Sequence, residues 1–305
     1  MSKTFETNFI WHNGSIVPWQ EAKVHVMTNG LHYGTGVFEG IRAYWNGKQL
    51  YVFRLQDHVN RFFNSIKIYD FGIDFTKDQI SEGIKETLRK NELKTDVYIR
   101  PLAVKGYGPI GLDVRKLKTE VFIITMPYGR YFEKEGIEVL VSSWRRISSQ
   151  TLPVIAKVTG HYSNSVLAKL DALNKGFDDA ILLNEEGKVC EGTGENIMMV
   201  KDGVIYTPPI SAGILDGITR RSIMEFAPDL GLKVVEKDID RGELYTADEL
   251  FFVGTAAEVT PILKVDGRQI GDGRVGPVSK KLKEYFFSIT QGKVDKYLKW
   301  LEAVW

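Results

Sequence analysis

The sequence predicts a two-domain protein of mixed α/β class, α+β in type, and three observations lead there. A chain of 305 residues exceeds the common single-domain size and is long enough for two real cores. The first third sets short apolar runs between tight-turn dipeptides and follows them with two helices that each carry one apolar face. The second half alternates strand and helix candidates.

Asn13-Gly14 and Asn46-Gly47 are dipeptides that accept positive φ, so each closes a hairpin of two antiparallel strands. Leu55, Val59, Phe62, Phe63 and Ile66 recur at helical spacing, and Ile80, Ile84 and Leu88 do so again before Asn91. Two amphipathic helices covering that sheet are the result. Strands over 96–105 and 119–126 complete a first domain, 1–126. Proline, glycines and charges in "PYGRYFEKEG" break the pattern at 127–136, which is taken as the linker. The second domain, 137–305, has strand candidates at 137–144, 179–184, 197–200 and 248–254, and helix candidates near 161–175, 218–230 and 277–290. No internal repeat or low-complexity tract interrupts it.

A formal net charge of +1 with interspersed signs gives no long-range field for nucleic acid or an anionic membrane surface. Small molecules and further copies of the chain are the expected partners. The one cysteine, Cys190, cannot form an internal disulfide, and the start "MSKTFETNF" lacks the pattern of a secretory signal, so a reducing cytoplasm is expected. Apolar stretches such as "VFIITM" at 121–126 fall far short of the roughly 20 residues that span a bilayer.

Several chemistries lack an anchor. The histidines at 12, 25, 32, 58 and 161 are scattered and the cysteine has no partner, so no metal site is expected. "GIRAYWNG" and "EGTGEN" lack the lysine and hydroxyl residue of a phosphate-binding P-loop, and no dinucleotide glycine fingerprint stands between a strand and a helix. What remains is "VIAKVTGHYSNS", 154–165, which sets Lys157 between Ala156 and Val158. For any single lysine the ordinary arrangement is a stem lying on apolar surface with its amine in water. The alternative is a neutral amine in a dry setting, which attacks an aldehyde, and pyridoxal phosphate is the obvious aldehyde.

That cofactor makes further demands. Glu191 in "VCEGTGENIMMV" offers a carboxylate for the ring nitrogen beside small glycines, or else an exposed acid in a polar turn. Gly217, Ile218 and Thr219 stand where a helix begins and its N–H groups attract anions, although many helices begin so with nothing bound. Arg61, one turn after His58, is a second anion donor or an arginine on a solvated face. Thr255 and Ala256 in "VGTAAE" follow an apolar strand, either as an anion-binding turn or as an ordinary one.

In this order the stretches resemble the class IV pyridoxal-phosphate aminotransferases, and among them the branched-chain amino acid aminotransferases. The resemblance spans nearly the whole chain and rests on "HVMTNGLHYGTGVFEGIRAY" (25–44), "YIRPL" (98–102), "AKVTGHY" (156–162), "EGTGEN" (191–196), "GITR" (217–220) and "GTAAE" (254–258). It implies fold type IV of the pyridoxal-phosphate enzymes, with a smaller N-terminal α/β domain, a larger C-terminal mixed α/β domain on a barrel-like sheet, and the cofactor between them. It implies that Lys157 is the catalytic and cofactor-anchoring lysine, that Tyr162 donates to the phenolic oxygen, and that Glu191 partners the ring nitrogen. Arg61, Ile218, Thr219 and Thr255 resemble the phosphate cradle. Tyr98 with the amides of Thr255 and Ala256 resembles the α-carboxylate site, and Phe38, Gly40, Tyr33, Arg100 and Tyr131 resemble the side-chain pocket. By itself, Arg100 in an alternating strand would point to solvent or pair across the sheet. The implied activity is transamination of leucine, isoleucine and valine with 2-oxoglutarate. The rivals are a D-amino acid or amine aminotransferase, an aminodeoxychorismate lyase, and a catalytically silent ligand-binding homologue. A homodimer or higher homo-oligomer is implied, with Tyr33 and the 106–111 loop, "GYGPIG", crossing over.

Overall fold

Residues 5–129 and 131–305 are described by a computed structural model. The first four residues of the polar start and Arg130 of the linker stretch lie outside them. The chain forms two compact units.

The first unit runs to Gly129 and adds Ala156–Gly160 and Ser288–Trp305. Its sheet begins with the hairpin β1 (Phe9–His12) and β2 (Ser15–Pro18), turned by Asn13 and Gly14 at φ 48° and 91°. There follow α1 (Asn29–Tyr33), β3 (Gly36–Phe38), β4 (Ile41–Trp45) and β5 (Leu50–Phe53). Next come α2 (Leu55–Ile68) and α3 (Lys77–Lys90), then β6 (Val97–Lys105) and β7 (Thr119–Pro127). All strand pairs in this sheet are antiparallel. The predicted apolar faces are the buried ones: Leu55, Val59, Phe62 and Ile66 of α2 and Ile80, Ile84 and Leu88 of α3 share one core with the sheet. A capping box at Thr76 and Gln79 starts α3, each side chain bonding the other's backbone N–H.

The second unit is built on a mixed sheet with α4 (Tyr162–Asn174) against it. Its strands are β8 (Ile137–Arg145), β9 (Asp179–Leu183), β10 (Val189–Gly192), β11 (Asn196–Lys201), β12 (Val204–Thr207) and β13 (Lys233–Glu236). β14 (Glu249–Gly254), β15 (Glu258–Val265) and β16 (Arg268–Gln269) complete it. β8 lies parallel to β9 and β15, β12 lies parallel to β13, and the other pairs are antiparallel. The sheet is curled and half-barrel in form, which is the barrel-like sheet expected. α5 (Ile218–Phe226), α6 (Arg241–Tyr245) and α7 (Pro277–Thr290) follow the chain between and after these strands. The helix expected over 218–230 changes to a 3-10 turn at Ala227, ahead of Pro228.

The division differs from the one drawn on the sequence, which gave 137–305, Lys157 included, to the second domain. Val158 bridges Val37 of β3, and Ala156 and Val158 are both buried in the first unit's core. Leu301–Ala303 pairs with β5, and Val304 joins the same core. The two units are consequently of nearly equal length, not small and large.

Candidate active site

In the first unit, Lys157 stands in an irregular segment between two residues of the core, Ala156 and Val158, both of them buried. The backbone there is fixed on both sides: the Lys157 N–H donates to Ser65 Oγ at 2.9 Å, and its carbonyl accepts from the Phe38 N–H at 3.0 Å. Lys157 Nζ lies 4.9 Å from the Phe38 ring centroid. Ser65 in turn donates to the Arg61 carbonyl at 3.0 Å, so α2 positions both residues.

Phe38 has a second cation over it. The Arg100 guanidinium is 4.6 Å from the Phe38 centroid and donates to the Tyr98 hydroxyl at 2.8 Å. Among the described residues Arg100 pairs with no acid across the sheet; Tyr98, two residues back on the same face of β6, holds it. Gly40 is required by the same contact, since a Cβ there would fall 2.2 Å from the Tyr98 hydroxyl. The first unit thus gathers Phe38, Gly40, Arg61, Tyr98, Arg100 and Lys157. Tyr33 on α1 is 39% exposed, with its ring tilted against that of His32.

Sequence reasoning missed what holds Arg61. Glu39 is fully buried and accepts from Arg61 Nε at 2.6 Å and Nη2 at 2.9 Å, with His58 Nδ1 at 2.7 Å. Burial alone would raise this carboxyl, but Arg61 and His58 outweigh it and hold it well below the usual range. Burial also lowers the His58 imidazole against the pull of Glu39. The available signal was periodicity: His58 falls in register with Leu55, Val59 and Phe62 on the buried face of α2.

The second unit holds the remaining candidates. Glu191 on β10 is buried; Arg146 Nε lies 2.9 Å from its Oε1, and Oε2 accepts from Asn196 Nδ2 at 3.1 Å and the Leu215 N–H at 3.0 Å. Every one of these partners is a donor, the set that suits a carboxylate. Asn196 also donates to the Leu215 carbonyl at 2.9 Å, and a Cβ on Gly217 would strike its Oδ1 at 1.9 Å. Gly217 therefore lets Asn196, at the start of β11 and bonded to Glu191, meet the start of α5. That start has no capping side chain, so Ile218 and Thr219 present helix N-terminal amides, while the buried Arg220 ties the turn to Thr207 and Pro208.

Thr255 and Ala256 occupy a turn closed by the pair Gly254 and Glu258, with Glu258 at φ 55°, a strained value for a side-chain-bearing residue. Tyr162 opens α4, whose first turn is pinned by Asn164 to the carbonyl of Arg145 at 2.8 Å, next to the Arg146 that pairs with Glu191. Tyr131 is 40% exposed, packs edge-on to Phe132, and has Lys169 Nζ 5.8 Å from its ring. Thr159 Oγ1 reaches the carbonyls of Gly34 and Gly36 at 2.8 and 3.1 Å, tying its segment to the first unit, and His161 is buried. Among the described residues no group of three His, Cys, Asp or Glu side chains is gathered to hold a metal ion, and no helix is long and apolar enough to cross a membrane.

Residues 36–265 match the family model "Amino-transferase class IV". The chain is 45% identical over 308 residues to the branched-chain-amino-acid aminotransferase of Pseudomonas aeruginosa, covering 100% of both. Among solved structures it is similar to a branched-chain aminotransferase from Thermoproteus uzoniensis with norvaline, at TM-score 0.95 and 49% identity over 98% of this chain and 100% of that one. It is similar also to the branched-chain amino acid aminotransferase from Thermobaculum terrenum in its PLP-form, at TM-score 0.93 and 38% identity over 99% of each chain.

Proposed function

Because the chain belongs to the class IV aminotransferases, we propose that it exchanges an amino group between branched-chain L-amino acids and 2-oxoglutarate, reversibly, giving branched-chain 2-oxo acids and L-glutamate. The observation that carries this reading is the wall formed by Phe38, Tyr98 and Arg100. One substrate of the exchange has an aliphatic side chain and the other a γ-carboxylate, and a wholly apolar wall would reject the carboxylate on desolvation. Arg100 lying on the Phe38 face offers both surfaces at once.

The residues present suit pyridoxal 5′-phosphate. The donor-rich Glu191 carboxylate fits a protonated ring nitrogen, and the uncapped start of α5, where Gly217 leaves no room for a Cβ, fits a phosphate. When bound, this cofactor supplies an aldehyde carbon for the amine and a ring that withdraws electrons from the carbon losing its proton. Lys157 Nζ takes the proton from the substrate Cα as base and returns one as acid. Glu191 keeps a proton on the ring nitrogen, and Tyr162 donates to the phenolic oxygen. Arg61, oriented by Glu39, acts with Ile218, Thr219 and Thr255 on the phosphate. Tyr98 and the amides of Thr255 and Ala256 take the α-carboxylate, and Phe38, Gly40, Tyr33, Arg100 and Tyr131 meet the side chain.

A homodimer or larger homo-oligomer belongs to this proposal. Val26, Leu31, Tyr107, Ile110 and Leu112 are exposed apolar residues on α1 and its surroundings, a region drawn together by the Thr28 to Tyr107 bridge and by Asn29 Nδ2 donating to the Gly111 carbonyl at 3.0 Å. A second copy covering them would bring Tyr33 and the 106–111 loop to a neighbour's site. The cytoplasm is the proposed compartment, supported by the single, fully buried Cys190, whose thiol burial pushes well up.

Purified protein with the cofactor should form glutamate from 2-oxoglutarate and L-leucine, L-isoleucine or L-valine, and should run as a dimer or larger by light scattering. Turnover of D-alanine, an amine or aminodeoxychorismate in place of these donors would select one of the rival activities, and no turnover of any donor would select a binding protein. Arg100→Ala should cost glutamate and 2-oxoglutarate about 2–4 kcal/mol in kcat/KM, the scale for removing one partner of a desolvated charge pair. The leucine half-reaction should change much less. An equal fall in both half-reactions would remove Arg100 from side-chain recognition.

A further inference from the structure

The turn that follows Glu191, between β10 and β11, holds a second acid for which the transfer described above has no use. Glu195 is 5% exposed. Its carboxyl folds over Gly192, where a Cβ would come within 2.9 Å of Oε2, and its Cγ lies against Gly254, where a Cβ would come within 3.4 Å. Two glycines thus make room for it, one following Glu191 and one preceding Thr255. Its side chain accepts one hydrogen bond, from the Gly194 N–H at 3.0 Å, and among the described residues no cation pairs with it.

The nearby cations are committed elsewhere. Arg146 pairs with Glu191 at 2.9 Å, and Lys169 of α4 pairs with the fully buried Asp179 at 2.6 Å. Thr193 donates to that same Asp179 at 2.7 Å. Asp179 from β9 and Glu191 from β10 therefore face Glu195 as negative charges, Lys169 from α4 opposes them, and β14 brings the uncharged Gly254 against its Cγ. Burial, then the Asp179 charge, push the carboxyl up to about 8, against the Gly194 N–H and Lys169. Between the ordinary carboxylate range and that value the folded chain holds a proton that the unfolded chain has released, so this group's contribution to stability declines as pH rises through that window.

We propose that Glu195 is a positioning residue that works as a neutral carboxylic acid: protonated, it packs the turn after Glu191 against the Thr255 turn without placing charge behind either, and ionised, it repels the anion received by the Thr255 turn. The role rests on the assignment of the turn to the phosphate site.

The test follows binding of pyridoxal 5′-phosphate by the full-length apo-protein from neutral to alkaline pH, alongside the carboxyl infrared spectrum. In the wild type the dissociation constant should rise about tenfold across an inflection near pH 8, equivalent to one unit of pKa displacement on binding. A carboxylic-acid carbonyl band should disappear over the same range. In Glu195→Gln, which keeps the shape of the neutral acid, that band should be missing and the alkaline rise should shrink to less than twofold. Asp179→Asn, which removes the neighbouring charge, should move the band's midpoint to lower pH and serves if the first variant does not fold. Absence of the band from the wild type at neutral pH, or an equal alkaline rise in wild type and Glu195→Gln, overturns the proposal. If the band titrates as described but nothing binds at neutral pH, the phosphate assignment has failed, and the role given to Glu195 falls with it.

Discussion

Replacing Lys157 with alanine should slow transamination between leucine and 2-oxoglutarate by about 10⁴-fold, the upper end of what one positioned acid–base group supplies. The protein should still fold. The segment is held by its backbone, through Ser65 and Phe38, and by the buried Ala156 and Val158 on either side. Truncation therefore removes the amine, and with it the cation over the Phe38 ring, and leaves the core intact. Borohydride treatment of the cofactor-loaded wild type, followed by peptide mapping, should tag Lys157. A tag on another lysine, or a variant with substantial turnover, would remove Lys157 from the chemistry.

Glu39→Ala should lower stability by about 3–5 kcal/mol, the usual cost of deleting one partner of a buried ion pair. Its oxygens receive both arms of Arg61 and the ring N–H of His58, so the deletion takes this carboxylate from a guanidinium that is only 11% exposed and from a buried imidazole. The folded Glu39 carboxyl titrates below its unfolded value, so its stabilisation is present above the ordinary carboxylate range and is lost as pH falls through and below it. His58 acts in the same direction: held below 6.5 in the fold, it is protonated first in the unfolded chain. Urea unfolding followed from neutral to acid pH should show the wild type losing stability steeply and the variant, already weak, much less so. A variant within 1 kcal/mol of wild type would mean that Arg61 finds another partner.

The helical faces were legible because their signal is local. Leu55, Val59, Phe62 and Ile66 repeat at the period that buries them, and Asn13-Gly14 supplies the backbone angles of its hairpin. β10 and β15 were not found, since β10 is buried along its length and β15 over Glu258 to Ile262, with no alternation there for a sequence to betray. The motifs marked Lys157, Glu191 and Thr255, while the residues that fix them were silent. Ser65, Arg146, Asn196 and Glu195 act through partners up to 92 positions away, and spacing within a segment carries no trace of such pairs. Glu39 stood in plain view between Phe38 and Gly40, but only a buried arginine explains an acid there.

The membership of 156–160 and 301–304 in the first unit has a consequence for the order of events during synthesis. Most of that unit leaves the ribosome early, yet the strand that borders β5 and the residue Val304 that fills its core are made only after the whole second unit. At roughly 5–20 residues per second the β5 edge waits on the order of ten seconds or more for its neighbour. During that interval it presents unpaired backbone groups to other nascent chains. The second unit needs no late segment of this kind, so on the translating ribosome the half begun later is the one able to finish first.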